Sequence, residues 1–227
     1  MNTEAYDWVI VDAEGLIGDE RIMKEIRAVQ FYAILDSLKD AYPDSRRHVV
    51  AFDADEGEET SQWRTALFSE AASQGWVPLK SSCRAFDTLA WFAFSFLDCA
   101  SDTCLVVGKD ERLFGLLSGK VDLLHRGADG LKMWTTNQYQ SSRRHTPEMH
   151  WLYLAAGGDS GMQDSLSNVE RVIYKDEIAE WLIKVPVDSL SAPEFLDRLR
   201  SILPKRLTTQ SESLFRYWLH RRGSSGE

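Results

Sequence analysis

Cysteine is scarce in this sequence. Cys83, Cys99 and Cys104 are the three present; the count is odd and no Cys-x-x-Cys pair occurs. They read as reduced thiols in or near a core, which excludes a disulfide framework and points to the cytoplasm. These cysteines and the five histidines show no zinc-ligand spacing. The N-terminus carries Asp and Glu but no basic stretch followed by an apolar one, so it does not read as a signal peptide. Long apolar runs are missing as well. Thr88 to Leu97 is the most apolar segment and is far too short to span a bilayer. No internal repeat or low-complexity tract breaks the chain. Net positive charge is lacking too: the formal charge is −9 and the pI near 5.1. A general nucleic-acid coat or membrane-surface protein would usually be basic, although a local basic strip can coexist with an acidic site.

What is there is an ordinary globular composition, 44% hydrophobic and 27% charged over 227 residues, enough for one large domain or for a core domain with a helical extension. Eight tryptophans suit core anchors. Three short β-branched runs each lead into a carboxylate. Trp8-Val9-Ile10-Val11 meets Asp12, Val49-Val50-Ala51-Phe52 meets Asp53, and Leu105-Val106-Val107-Gly108 meets Lys109-Asp110. Such runs, separated by long helical patterns, predict buried strands of a parallel sheet. All strands of that sheet point one way, so the three carboxylates are expected at one edge, where open α/β folds place their sites. Gathered carboxylates repel one another unless a cation sits between them, and hard oxygen donors suit Mg²⁺ or Mn²⁺.

Between the strands the spacing predicts helices over 19–41, 60–73 and 84–97, a short edge strand near Trp76 to Leu79, and a helix of about two turns ending at Leu117. A strand over Val121 to Leu124 and a hairpin or edge strand from Arg126 to Trp134 follow. From Asn137 the pattern becomes helical. Pro147 opens a helix to about Ala156, and further helices are expected over 166–173, 176–183, 193–203 and 211–221. The expected organisation is therefore an α/β domain over residues 1–136 and a helical region over 137–227 packed on it.

Four pieces in this order resemble the 5′–3′ exonuclease and flap endonuclease family. They are the strand ending in Asp12 before Gly15-Leu16-Ile17, then Phe52-Asp53 followed by Trp63-Arg64. Third is Gly108-Lys109-Asp110-Glu111-Arg112, and last a helix ended by Gly158-Asp159-Ser160. The resemblance implies a PIN-like fold of three layers, with a central, mostly parallel sheet flanked by helices. It implies a metal-dependent phosphodiesterase acting on nucleic acid, DNA ahead of RNA, with no membrane partner. Carried over by position, Asp12, Asp53, Asp87, Asp110 and Asp159 match the family's metal-binding carboxylates. Asp12, Asp53 and Asp110 are the expected catalytic set. Arg64 matches the arginine that contacts phosphate, and Lys109, in the strand-end motif, is a further expected nucleic-acid-binding residue. Arg143 and Arg144, with His145, form a basic cluster suited to a phosphate backbone. The sequence also departs from the family pattern. Arg84 and Phe86 stand where the family has Glu and Asp, Arg112 stands at a second Asp, and the basic arch after Arg64 is cut to Lys80.

These departures motivate an alternative: a weakened nuclease that serves as a nucleic-acid-binding or regulatory subunit. A haloacid-dehalogenase-like phosphatase is a third reading, since Asp12-Ala13-Glu14-Gly15 echoes Asp-x-Asp-Gly. Glu14 is longer than the Asp that chemistry needs, and no strand follows Asp164.

Overall fold

The computed structural model of the chain describes residues 6–17, 23–54, 58–82, 84–98, 101–143, 145–154, 184, 191, 193–194, 197–198 and 214–220. The chain divides into two compact units, Met1–Thr136 and Asn137–Glu227.

The first unit is built on a six-stranded sheet in the order β3-β2-β1-β4-β5-β6. The strands are β1 (Trp8–Asp12), β2 (Arg47–Phe52), β3 (Val77–Lys80), β4 (Cys104–Gly108), β5 (Val121–Gly127) and β6 (Gly130–Trp134). The first five are parallel, and β6 returns antiparallel beside β5. From β1 the chain first builds outward to β2 and β3. It then comes back to place β4 on the other side of β1. The order therefore reverses at the β1/β4 seam, the kind of position at which open α/β folds place a crevice at the carboxyl ends of the strands.

Side chains alternate between the sheet faces with a period of two. Val9, Val11, Val50, Phe52, Leu105 and Val107 form one core with Phe31, Leu35 and Leu38 of α2 (Lys24–Ala41) and with Leu67 and Ala71 of α3 (Glu58–Ser73). In α2 the buried positions Arg27, Phe31, Leu35 and Leu38 recur at helical spacing, and the rest of the helix is largely exposed. Phe31 is fully buried, worth about 1.5–3 kcal/mol for such a ring. The opposite face carries Ile10, Val49, Ala51 and Val106. It is crossed by α4 (Ala85–Asp98), which packs on β1, β2 and β4. Trp8 reaches Phe92 of α4 with ring centroids 5.9 Å apart. Every residue of β4 is buried, as expected for a central parallel strand. At the outer edges, Pro78 lies in β3, and β6 carries Lys132 over the ring of Trp134 at 4.3 Å.

The expected strands appear within a residue or two at most boundaries. β5 is the exception, running on to Gly127 so that it can pair with β6. Two elements were not expected. One is α1 (Ala13–Ile17), a single turn directly after Asp12; the other is α5 (Thr136–Ser142). The two-turn segment expected before Leu117 is a 3₁₀ helix, Glu111–Leu116. Gly115 in its middle and the nearby Gly119 leave too few good helix formers for a longer α-helix.

In the second unit, α6 (Pro147–Tyr153) starts at Thr146, whose side chain accepts from the Met149 amide. Pro147 occupies the first turn, where a missing N–H costs nothing. Residues 214–220 are helical, with Leu214, Phe215 and Trp218 buried and Tyr217 against Trp151. The expected helices over 166–173 and 176–183 lie outside the described residues. No described helix is long and apolar enough to cross a membrane.

Candidate active site

The alternation that builds the sheet also aims the carboxylates. Ile10 and Asp12, Ala51 and Asp53, and Val106, Gly108 and Asp110 follow one another at spacing two on the α4 side of adjacent strands. Asp12 ends β1 opposite Ala51 of β2, Asp53 follows β2 directly, and Asp110 lies just past β4.

Asp12 is buried, and its Oδ1 accepts from the Gly15 amide at 3.2 Å. The carboxylate thus caps α1, as strand-end aspartates often do. That bond lowers its pKa but does not prevail. Burial, reinforced by the negative charges of Asp110, Asp53 and Glu14, pushes the Asp12 carboxyl up to about 7. Two glycines make the packing around it feasible. A Cβ on Gly15 would lie 2.8 Å from Asp12 Oδ2 and 2.9 Å from the Lys109 amide nitrogen, and one on Gly108 would lie 3.0 Å from Asp12 Cβ and 2.5 Å from Leu113 Cδ1.

Asp53 Oδ1 accepts the amide of Ala85, the first residue of α4. The positive end of that helix therefore faces the carboxylate. Asp87, in the same first turn, accepts from the Arg84 amide at 3.3 Å, which is a local cap. Glu14, the first acidic residue of α1, joins the group. Its Oε2 meets Arg64 Nη2 at 3.1 Å, and Arg64 Nη1 donates to the Ala54 carbonyl at 3.0 Å. Glu14 Oε1 is buried without a hydrogen-bond partner. Burial raises the Glu14 carboxyl above its ordinary value, against the opposing pull of Arg64. Beside Asp53 an open pocket of ≈ 130 Å³ is lined by Phe52, Asp53, Arg64, Thr65, Phe68 and Lys80.

Asp110 has a different set of neighbours. It accepts from the Arg112 amide at 2.8 Å and caps the 3₁₀ helix. Arg112 Nε lies 2.9 Å from both Asp110 oxygens, and Nη2 bonds Oδ2. The guanidinium also stands over the Phe86 ring at 4.2 Å. Lys109 is exposed, and its carbonyl is held by His125 Nε2 at 2.8 Å.

The structure thus brings Asp12, Asp53, Asp110, Glu14, Arg64 and Arg112 together, with Asp87 at the helix end that faces Asp53. Arg143 lies in the second unit, where its amide donates to Tyr139. Asp159 and Arg144 lie outside the described residues. Sequence reasoning did not assign Glu14 to this group. The signal was available, because Glu14 follows a strand-end Asp by two residues, but recognising it required α1, which places residue 14 back over the site.

The residues fit a divalent cation in donor chemistry. The group is rich in carboxylate oxygens, as Mg²⁺ and Mn²⁺ require, and Glu14 Oε1 is buried without a hydrogen-bond partner. Among the described residues no group of three or more His, Cys, Asp or Glu is arranged to hold an ion.

No family model matches the chain, and no curated protein matches it in sequence. Solved structures do. A point mutant of the 5′-exonuclease of bacteriophage T5 is similar at 14% identity and a TM-score of 0.59, over 96% of this chain and 85% of that one. The T5 5′-exonuclease with bound zinc is similar at 16% identity and a TM-score of 0.58, over 94% and 87%. The T5 flap endonuclease in a pseudo-enzyme–product complex with DNA and metal ions is similar at 15% and 0.53, over 93% and 87%. The likeness runs along nearly the whole chain, and it shows that the fold is the α/β fold of these 5′-exonuclease and flap endonuclease structures.

Proposed function

We propose that this chain is a divalent-metal-dependent phosphodiesterase that acts at 5′ ends or flaps of nucleic acid, DNA ahead of RNA, with Mg²⁺ or Mn²⁺. The observation that carries the reading is the meeting of Asp12, Asp53 and Asp110 at the carboxyl ends of neighbouring strands, in the fold of the T5 enzymes. One of those T5 structures holds zinc and another holds DNA with metal ions, which supports the same substrate class here. Asp12 and Asp53 are the residues that would hold the ion, with Glu14 close by. When bound, it supplies Lewis-acid stabilisation of the charge that develops on the phosphoryl oxygens.

The remaining work falls to side chains of the chain itself. Arg64, fixed by Glu14 and the Ala54 carbonyl, lines the wall of the Asp53 pocket, and a phosphate docking there would have to share the guanidinium with Glu14. Lys80 adds charge to the same pocket. Gly15 and Gly108 hold a low floor around Asp12. The α4 N-terminus favours negative charge beside Asp53.

Purified protein incubated with end-labelled single-stranded, duplex and flap substrates tests this. Cleavage with Mn²⁺ or Mg²⁺, abolished in Asp12→Ala and Asp53→Ala, is expected. A second reading, a nucleic-acid-binding protein with weakened catalysis, is favoured by one observation, the Arg112 clasp on Asp110. No cleavage under any divalent ion, together with unchanged binding in both variants, would establish that second reading instead.

A further inference from the structure

We infer that Arg112 occupies the place of a second cation, so that the site takes a single divalent ion rather than the pair common in phosphodiester hydrolysis. The inference rests on the metal-dependent reading above and specifies the site's stoichiometry.

Asp110 is already engaged on both oxygens. The Arg112 amide contacts Oδ1, Nη2 contacts Oδ2, and the single Nε–H is shared between the two. Three donors of one residue thus fall on a carboxylate that offers about four lone-pair directions. A metal would have to displace the arginine to use it.

The Arg112 guanidinium lies on the Phe86 ring at 4.2 Å, and Phe86 is anchored in the core at 2% exposure. An aromatic face attracts a cation, and the flat guanidinium stacks on it. Arg112 is therefore held by charge at its edge and by a fixed ring at its face. The adjoining backbone reinforces this, since Asp110 and Arg112 begin the same 3₁₀ helix.

Asp12, Glu14, Asp53 and Asp110 are the carboxylates that act on one another, and Arg64 and Arg112 are their guanidinium partners. The guanidinium of Arg112 already answers the charge of Asp110, so less negative charge is left to hold a second dication than if position 112 were uncharged. Replacing Arg112 by an acid would create room for two.

The experiment is calorimetric titration of the metal-free, full-length protein with MnCl₂, with free Mn²⁺ read in parallel by its electron paramagnetic resonance signal. One ion per chain is expected for the wild type, and loss of that ion is expected in Asp12→Ala. In Arg112→Asp a second ion is expected, with folding checked by circular dichroism. Two ions in the wild type would overturn the inference and leave the metal-dependent reading standing. A folded Arg112→Asp that still takes one ion would also overturn it. No ion in the wild type would overturn the metal-dependent reading itself, and the inference with it. The wild-type stoichiometry decides the matter even if the variant does not fold.

Discussion

The two sides of the β1/β4 seam carry the same feature in different surroundings. On the β1 and β2 side, Asp12 and Asp53 are met by backbone amides, from Gly15 and Ala85. On the β4 side, Asp110 is met by a full positive charge from Arg112. An amide bond leaves a carboxylate its charge and most of its lone pairs, whereas a bidentate guanidinium takes both. A carboxylate's place at a strand end thus does not by itself set what it can bind. The neighbouring residues decide whether it is available.

The largest expected effects test that contrast directly. Asp12→Ala and Asp53→Ala should each lower Mn²⁺-dependent cleavage by about 10²-fold or more, the several kcal/mol that a catalytic metal supplies. Asp110→Ala should leave a bound Mn²⁺ in place, measured by the same titration. Equal loss of the ion in all three variants would erase the distinction between the two sides.

Next in size are the glycines. Gly15→Ala forces a methyl group against Asp12 Oδ2 and the Lys109 backbone, and Gly108→Ala forces one against Leu113 and Asp12. Each should cost about 1–3 kcal/mol by overpacking, seen as a lower urea midpoint. Gly15→Ala should be the costlier, because one of its neighbours is backbone and cannot swing aside.

The acid response follows from Asp12. Its folded-state pKa, about 7, stands above the ordinary 3.8, so between those values the native state binds a proton that the unfolded chain does not. Stability of the metal-free protein should therefore rise as pH falls from about 7 toward 3.8, with a slope of at most about 1.4 kcal/mol per pH unit. Asp12→Asn should flatten that slope in pH-dependent urea melts. A stability that falls over this window, with an unchanged slope in Asp12→Asn, would contradict the assignment. The smallest effect belongs to the other side: Asp110→Ala should cost about 1 kcal/mol, since the pair it breaks is part exposed.

Much of the sheet was legible because buried parallel strands announce themselves. Val9 to Val11, Val49 to Phe52 and Leu105 to Val107 are runs that only a two-sided core explains. The ends of those runs located the candidate carboxylates by the same logic. The pairing of the charges was not legible. Arg64 is expected from sequence on a phosphate, yet it spends one nitrogen on Glu14 and another on Ala54, fifty and ten residues away in the chain. Nothing in a linear pattern encodes such contacts. The Asp110–Arg112 clasp spans two positions, but it depends on the 3₁₀ geometry and on Phe86, which arrives from α4. Short elements were missed for a related reason: α1 is a single turn, too brief for any periodicity to show.

The outer strands of the sheet carry a last consequence. Pro78 removes a backbone donor from β3, and Lys80 ends it. At the opposite margin β6 folds back antiparallel and presents Lys132. Another molecule approaching edge-on finds an incomplete row of partners on one flank and a charged side chain on each. Both margins of the six-stranded sheet thus carry features that oppose the addition of a further strand from another molecule.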